Sequence, residues 1–158
     1  MWMKLMRVVV AALALAGLTV SVLALKVHNL PPDTAPPCAV NEHWDCGSVN
    51  HSRFADFPPR MIGEESDAKK VHVPVAIIGI AGYIVMFTFA AFGRWWIVLQ
   101  LAEIGFAAAC FLTYLEAFVI EKWCIYCVWS QAIVTTIMLC TAIALILQRR
   151  SRSVVVIP

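Results

Sequence analysis

The stretch EKWCIYCVWSQAIVTTIMLCTAIALILQRR, residues 121–150, holds no charged side chain between Lys122 and Arg149. About 20 apolar residues in a helix cross the hydrocarbon core of a bilayer, so the run predicts a membrane span, over residues 124–148. Cys124 and Cys127 stand at its mouth. Three residues apart at a helix start, they share one face, where unpaired amides and the positive end of the helix dipole stabilise a thiolate. A thiolate is the species that attacks disulfides, so Cys124-Ile-Tyr-Cys127 has the form of a reactive pair.

Three more runs, at about residues 5–25, 72–92 and 95–119, reach spanning length. The chain is 61% hydrophobic and 14% charged, against about 25% charged in soluble domains. Together these predict an all-α integral membrane protein: a single domain over 1–158, four transmembrane helices in a bundle, and a large extracytoplasmic loop, 26–71, between the first two. The net charge of +2 gives no reason to expect a nucleic-acid partner. Short connections at Gly93-Arg94 and Glu121-Lys122 make the last three helices an up-and-down bundle. Val73-Pro74 is read as the first turn of the second helix, where a proline is tolerated. Gly79 and Gly82 on that helix are read as sites of close packing.

Orientation follows from Lys and Arg, which are retained on the cytoplasmic side. With the N-terminus inside, Lys4, Arg7, Arg94, Arg149, Arg150 and Arg152 form inner flanks without acids. The outer side holds Lys26, Arg53, Arg60, Lys69, Lys70 and Lys122 among eight acids. The basic counts tie, and the concentration of bare positives in short flanks favours an inside N-terminus. Lys4 and Arg7 ahead of an apolar run also imitate a secretory signal peptide. The length of that run and the lack of a clear small-residue cleavage site favour a retained helix.

The loop opens with Pro31, Pro32, Pro36 and Pro37, which admit no regular helix. Residues 48–57 read as a short surface helix with Val49, Phe54 and Phe57 on its apolar side. Cys38 and Cys46 fall in this loop, on the same side of the membrane as Cys124 and Cys127. Cys110 and Cys140 fall within the spans, where a free Cys behaves as a small hydrophobe. Outside the cytosol disulfides are favoured, so the four outer cysteines imply two pairs. Cys38 and Cys46 close a small, exposed loop that another protein can reach, which suits a shuttle. Two disulfides stapling a loop to a bundle, or a four-Cys zinc site, are the competing readings; no His stands at metal spacing beside the pair, and no metal is expected.

An exchange centre in a membrane needs an outlet for electrons, and the bilayer's own redox pool is lipid-soluble quinone. A quinone site beside Cys127 is therefore expected, with Trp123, Tyr126, Trp129, Tyr114 and Phe118 available as walls. The same aromatics read equally as an interfacial belt. Glu116 and Glu103, acids within the third span, are candidates to relay protons, or are simply neutral or hydrogen-bonded in the bundle.

The order and spacing of these features resemble the vitamin K epoxide reductase family, including its bacterial homologues that regenerate periplasmic disulfide-forming proteins. The resemblance rests on Cys38-x7-Cys46, Ser52 six residues further on, Val73-Pro74 with Gly79, and Cys124-Ile-Tyr-Cys127, and covers about residues 8–148. Other four-helix quinone-coupled disulfide oxidases carry their Cys-x-x-Cys in the first outer loop. The resemblance implies that Cys127 interacts with the quinone ring and that Cys124 pairs with Cys127 and exchanges with Cys46. It implies that Cys38 joins Cys46 in the shuttle disulfide, and that the Ser52 hydroxyl supports the thiolate or quinone; Ser52 also reads as a helix cap.

The acceptor would be ubiquinone, menaquinone or a similar quinone in a bacterial inner membrane, with the active cysteines periplasmic. Animal members acting on vitamin K epoxide place Asn after the second-helix proline and Tyr four residues past the second active cysteine; here these are Val75 and Gln131. Gln131 can still hydrogen-bond a carbonyl and Val75 cannot, which weakens epoxide reduction and leaves quinone reduction intact. Some bacterial homologues carry a fused thioredoxin-like domain. This chain ends at Pro158, so its expected partner is a separate extracytoplasmic thioredoxin-like oxidoreductase. The alternatives are a vitamin K epoxide or quinone reductase, and a non-enzymatic membrane scaffold with structural disulfides.

Overall fold

The computed structural model of the chain describes residues 2–31, 34, 36, 38–60 and 71–155, the last five by backbone alone. Pro32 and Pro37 of the loop entry, Asp33, and the charged residues of 61–70 counted in the charge balance lie outside the described residues, as does the side chain of Arg152. Four long helices dominate: α1 (Trp2–His28), α3 (Val75–Ala91), α4 (Trp95–Leu115) and α5 (Ile125–Val155). Between α1 and α3 lie a one-turn helix, α2 (Cys46–Asn50), and two short strands, β1 (Asp56–Phe57) and β2 (Val73–Pro74). Helix α1 packs on α3 and α5, and α4 packs on α5 and α3.

Trp2–His28, Trp95–Ile120 and Ile125–Arg150 are each long and apolar enough to cross a membrane, so the chain is a helical membrane protein. Helix α3, the fourth expected span, has 17 residues. At 1.5 Å per residue it covers about 25 Å, the short limit for a crossing. Its start corrects the sequence reading. Val73-Pro74 is not a first helical turn but extended chain, paired antiparallel with Asp56 and Phe57. The Val75 amide donates to the Ala55 carbonyl at 2.8 Å, holding the strand pair against the helix start.

The surface helix expected over 48–57 is likewise shorter and earlier. Asp45 caps it, its carboxylate accepting from the amides of Gly47 (2.9 Å) and Ser48 (3.2 Å), and this cap fixes the start at Cys46. The β1 pairing then draws the chain out of helical geometry by Asp56. Val49 is buried as expected, whereas Phe57 is exposed.

In the bundle core, Val10, Ala14, Tyr83, Met86, Trp95, Val98, Ile133 and Ile137 form one buried cluster. Tyr83 ties three helices together: its ring lies where a Cβ on Gly17 of α1 would sit, and its hydroxyl donates to the Ser130 carbonyl of α5 at 3.0 Å. Gly79 meets Ser21 closely, the packing role expected of it. Gly82, expected to pack in the same way, faces open space. At the turn between α3 and α4 Gly93 adopts φ +69°, a left-handed cap natural to glycine, with the Arg7 guanidinium over it.

Gly17→Ala should lower the unfolding free energy by about 1–3 kcal/mol, because the added methyl overlaps the Tyr83 ring. Gly82→Ala should change it by less than about 0.5 kcal/mol. Thermal unfolding of both variants in detergent checks the contrast.

Candidate functional site

The site begins with two backbone hydrogen bonds. Trp123 donates its amide to the His43 carbonyl at 2.8 Å, and Asp45 donates its amide to the Trp123 carbonyl at 3.1 Å. They form an isolated parallel bridge between Trp44 and Trp123. In a parallel pairing both chains run on in the same direction, so Cys46 and Cys124, just past the bridge, leave it side by side. Both are fully buried, and they share one apolar cluster with Cys38, Val27 and Val49, against which Tyr126 and Cys127 pack.

Local interactions hold the loop in this pose. Asn41 Oδ1 accepts from the amides of His43 and Trp44, each at 2.9 Å, and the Lys122 ammonium donates to the Glu42 carbonyl. The Asp45 carboxyl is held below its usual range, chiefly by the Ser48 hydroxyl that donates to it, then by the Ser48 and Gly47 amides and the Lys122 charge, against an opposing effect of burial. On the far side of α2, His28 donates from Nδ1 to the Asn50 carbonyl at 2.6 Å, and its Nε2 lies 3.6 Å from the Asp56 carboxylate.

Cys38 and Cys46 are disulfide-bonded, with Cα atoms 5.9 Å apart. The expectation that this pair is exposed needs correction: Cys38 is 6% exposed and Cys46 is 0%. The bridge and the cap fold the short loop back onto the α5 mouth and cover both sulfurs. Cys124 and Cys127 are free thiols in contact. Cys124 precedes α5 and its carbonyl accepts from Val128 at 3.1 Å, so it sits at the helix cap with Cys127 within the first turn.

Two residues that no motif singled out for this purpose bind Cys124. Asn50 donates from Nδ2 to the Cys46 carbonyl (2.8 Å) and toward Cys124 Sγ (3.5 Å), bridging the two cysteine segments. Its only sequence signal is its place four residues after Cys46, one helical turn away. Glu116 accepts the Cys124 amide at Oε2, 3.1 Å. It opens a π-helical turn, Glu116–Ile120, closed by Glu121 in a left-handed conformation, φ 56°. Such turns shift helical register.

A cavity of about 490 Å³ opens beside Cys127, within the size range of small-molecule pockets. Its walls are mainly apolar residues of α3 and α4, and Cys127, Tyr126, Ser52, Asn50, His28 and Glu116 gather at one end. Ser52 Oγ is buried and has no hydrogen-bond partner among the described residues.

The expected aromatic wall is only partly there. Tyr126 lines the cavity, but Tyr114 and Phe118 stack on each other with centroids 5.1 Å apart and are 56% and 72% exposed on the outer face of the bundle. Trp129 is also exposed, and Trp123 stacks on Trp44 instead. Gln131 accepts from the Thr113 hydroxyl and reaches toward Cys110, away from the cavity, whereas Val75 lies on its wall. Tyr114 in the last turn of α4 and Phe118 in the π-helical turn after it both face away from the bundle, where they suit an interfacial belt.

The family model described as the vitamin K epoxide reductase family matches residues 8–143 of the 158. No individual curated protein matches the chain.

Because its folded-state pKa is depressed, Asp45 stabilises the loop fully above about pH 3.9, and that contribution fades only as the pH falls through its lower folded value. The rate at which a phosphine reduces Cys38–Cys46 should therefore stay flat across mildly acidic pH and rise only below that range. Asp45→Ala, losing a cap worth about 1 kcal/mol, should raise the rate about fivefold at neutral pH. Mass spectrometry of alkylated protein gives both rates.

Proposed function

Since the chain belongs to the vitamin K epoxide reductase family and is a membrane redox enzyme, we propose that it oxidises a secreted thioredoxin-like partner and passes the electrons to a membrane quinone. In this reading the whole chain is one domain with four membrane helices, α3 being the short one. The N-terminus faces the cytoplasm and the cysteines face the periplasm of a bacterial inner membrane. The observation that carries the proposal is the parallel bridge, which sets Cys46 beside Cys124 while Cys127 opens on an apolar cavity.

The chemistry is a relay of disulfide exchange. The partner's dithiol attacks the Cys38–Cys46 disulfide and leaves oxidised, with both sulfurs of the pair reduced. Cys46, as thiolate, attacks Cys124 of a Cys124–Cys127 disulfide; a mixed Cys46–Cys124 bond forms and Cys127 departs. Cys38 then attacks Cys46, restoring its own disulfide and releasing Cys124. Asn50, bonded toward both segments, holds the attacking and attacked sulfurs in register.

The cavity suits a quinone: its walls are apolar, and the unpartnered Ser52 hydroxyl offers a donor for a ring carbonyl. Cys127 and Tyr126 would lie against the ring, and a bound quinone supplies the capacity to take two electrons and two protons. Tyr114, Phe118 and Gln131 are not required in this arrangement. Epoxide reduction draws less support, since Val75 gives the wall no hydrogen bond where the animal enzymes place Asn. A scaffold stapled by disulfides draws least, because Cys124 and Cys127 are free thiols held beside a disulfide.

Cys127→Ala should lower dithiothreitol-driven reduction of a short-chain ubiquinone at least about 100-fold. Cys38→Ala should keep most of that activity and lose turnover when the donor is a reduced thioredoxin-like protein. Full activity in Cys127→Ala, followed by quinone absorbance, would overturn the mechanism.

A further inference from the structure

Glu116 is a carboxyl group inside a membrane helix bundle, 2% exposed. A buried carboxyl is costly and calls for a reason. One oxygen has a structural partner, since Oε2 accepts the Cys124 amide at 3.1 Å. The other, Oε1, is buried and has no hydrogen-bond partner among the described residues. The carboxyl lies beside the Cys127 thiol, and both line the cavity. A residue serving only to anchor the Cys124 amide needs one neutral acceptor; a carboxyl with a second, unsatisfied oxygen, set beside a reactive sulfur, provides more than that.

We propose that Glu116 is a catalytic residue of the Cys124–Cys127 pair, giving a proton to the Cys127 sulfur as it leaves the disulfide and taking that proton back when the disulfide re-forms. The inference rests on the exchange reading above and deepens it.

The electrons of the step balance within the protein, and one proton passes to solvent. When Cys46 thiolate bonds to Cys124, the Cys124–Cys127 bond breaks and its electron pair stays on Cys127. Two adjacent negative charges, a Cys127 thiolate facing a Glu116 carboxylate, are strongly disfavoured in a buried medium of low dielectric, so the pair keeps one proton between them and Glu116 is the neutral acid when Cys127 leaves. The Glu116 proton moves to Cys127, leaving one negative charge on the carboxylate, where the Cys124 amide already donates to Oε2. Cys38 then displaces Cys124; of the two protons that Cys38 and Cys46 give up, Cys124 takes one and solvent takes the other, and Glu116 stays a carboxylate until the Cys124–Cys127 disulfide re-forms. No outside oxidant enters the step. The π-helical turn gives the device its geometry by setting Glu116 at the α4 register shift, opposite the α5 mouth.

The other titratable side chains facing the same cavity are His28 at the end of α1, Tyr83 on α3 and Tyr126 on α5, with Ser52 and Asn50 as neutral polar groups of the loop. None of these donates to Cys127, and His28 is engaged by the Asn50 carbonyl and the Asp56 carboxylate.

The test is the rate at which dithiothreitol reduces the Cys124–Cys127 disulfide in the full chain, measured across pH by quenched alkylation. Glu116→Gln keeps an acceptor for the Cys124 amide and cannot give a proton. It should slow reduction about 100-fold and remove a break in the pH profile that the wild type shows. Glu116→Asp should be slower than wild type but keep the break. A redox-difference infrared spectrum should contain a carboxyl C=O band that Glu116→Gln lacks.

A Glu116→Gln rate within threefold of wild type, with an unchanged profile, would overturn the proposal. So would a slow variant that keeps the wild-type break, which would mark Glu116 as an anchor alone. Failure of the wild type to form a Cys124–Cys127 disulfide on oxidation is read before any variant is made; it would remove the exchange reading and this inference with it.

Discussion

Two hydrogen bonds between backbone segments nearly eighty residues apart decide what the rest of the molecule can do. The bridge of Trp44 with Trp123 joins a polar loop to the mouth of a membrane helix, and its parallel sense brings Cys46, two residues on, and Cys124, one residue on, to the same place. Without it the two cysteine pairs would be tethered only through α1 and α3, and their encounter would carry the entropy of closing a long loop. With it, the exchange proposed between the pairs would be a reaction of groups already positioned, the circumstance in which proximity contributes most. Asn50 and the Asp45 cap act on this geometry and refine it.

The same economy of chain explains the short third helix. Pairing of Val73-Pro74 with Asp56-Phe57 takes two residues that would otherwise extend α3 and uses them to hold the loop's return path against the bundle. Proline suits that point, since it lacks an amide to donate and here precedes the first helical residue. The resulting cover places Ser52, Asn50 and His28 over the end of the cavity near Cys127, while α3 presents Val75, Gly79 and Gly82 to its side. The open space at Gly82 is part of that cavity, which is why a glycine that looks like a packing residue in the sequence packs against nothing.

Much of the design was legible in the sequence because it is written in residue types. Uncharged runs announce the long helices, and a Cys-x-x-Cys after Glu121-Lys122 announces a reactive helix mouth. What stayed hidden is carried by backbone atoms and by rotation. The Trp44–Trp123 bridge uses amides and carbonyls that every residue has, so no motif marks it. The outward facing of Tyr114 and Phe118 depends on which side of α4 meets α5, and aromatic composition is the same for a ligand wall and for an interfacial belt. Glu116 was visible as an acid near the outer end of a span; only the π-helical turn, a change of register with no sequence signature of its own, explains why it faces the cysteines and not the interface.

The burial of Cys38 and Cys46 changes how the proposed exchange must run. A partner's thiolate has to reach a sulfur along the line of the S–S bond, and neither sulfur is presented to solvent. The loop must therefore open, and its two halves are held unequally. Cys46 lies in the capped helix α2, behind the bridge, with Asn50 donating to its carbonyl. Cys38 lies outside that helix, where the chain is held by a turn from Ala39 to Pro36 and by the Val40 amide on Trp44. Each such hydrogen bond contributes only about 1 kcal/mol net, so the Cys38 side opens at smaller cost. Opening there exposes Cys38 to the partner while Cys46 stays against Cys124, which keeps the entry of electrons and their onward transfer on separate sulfurs.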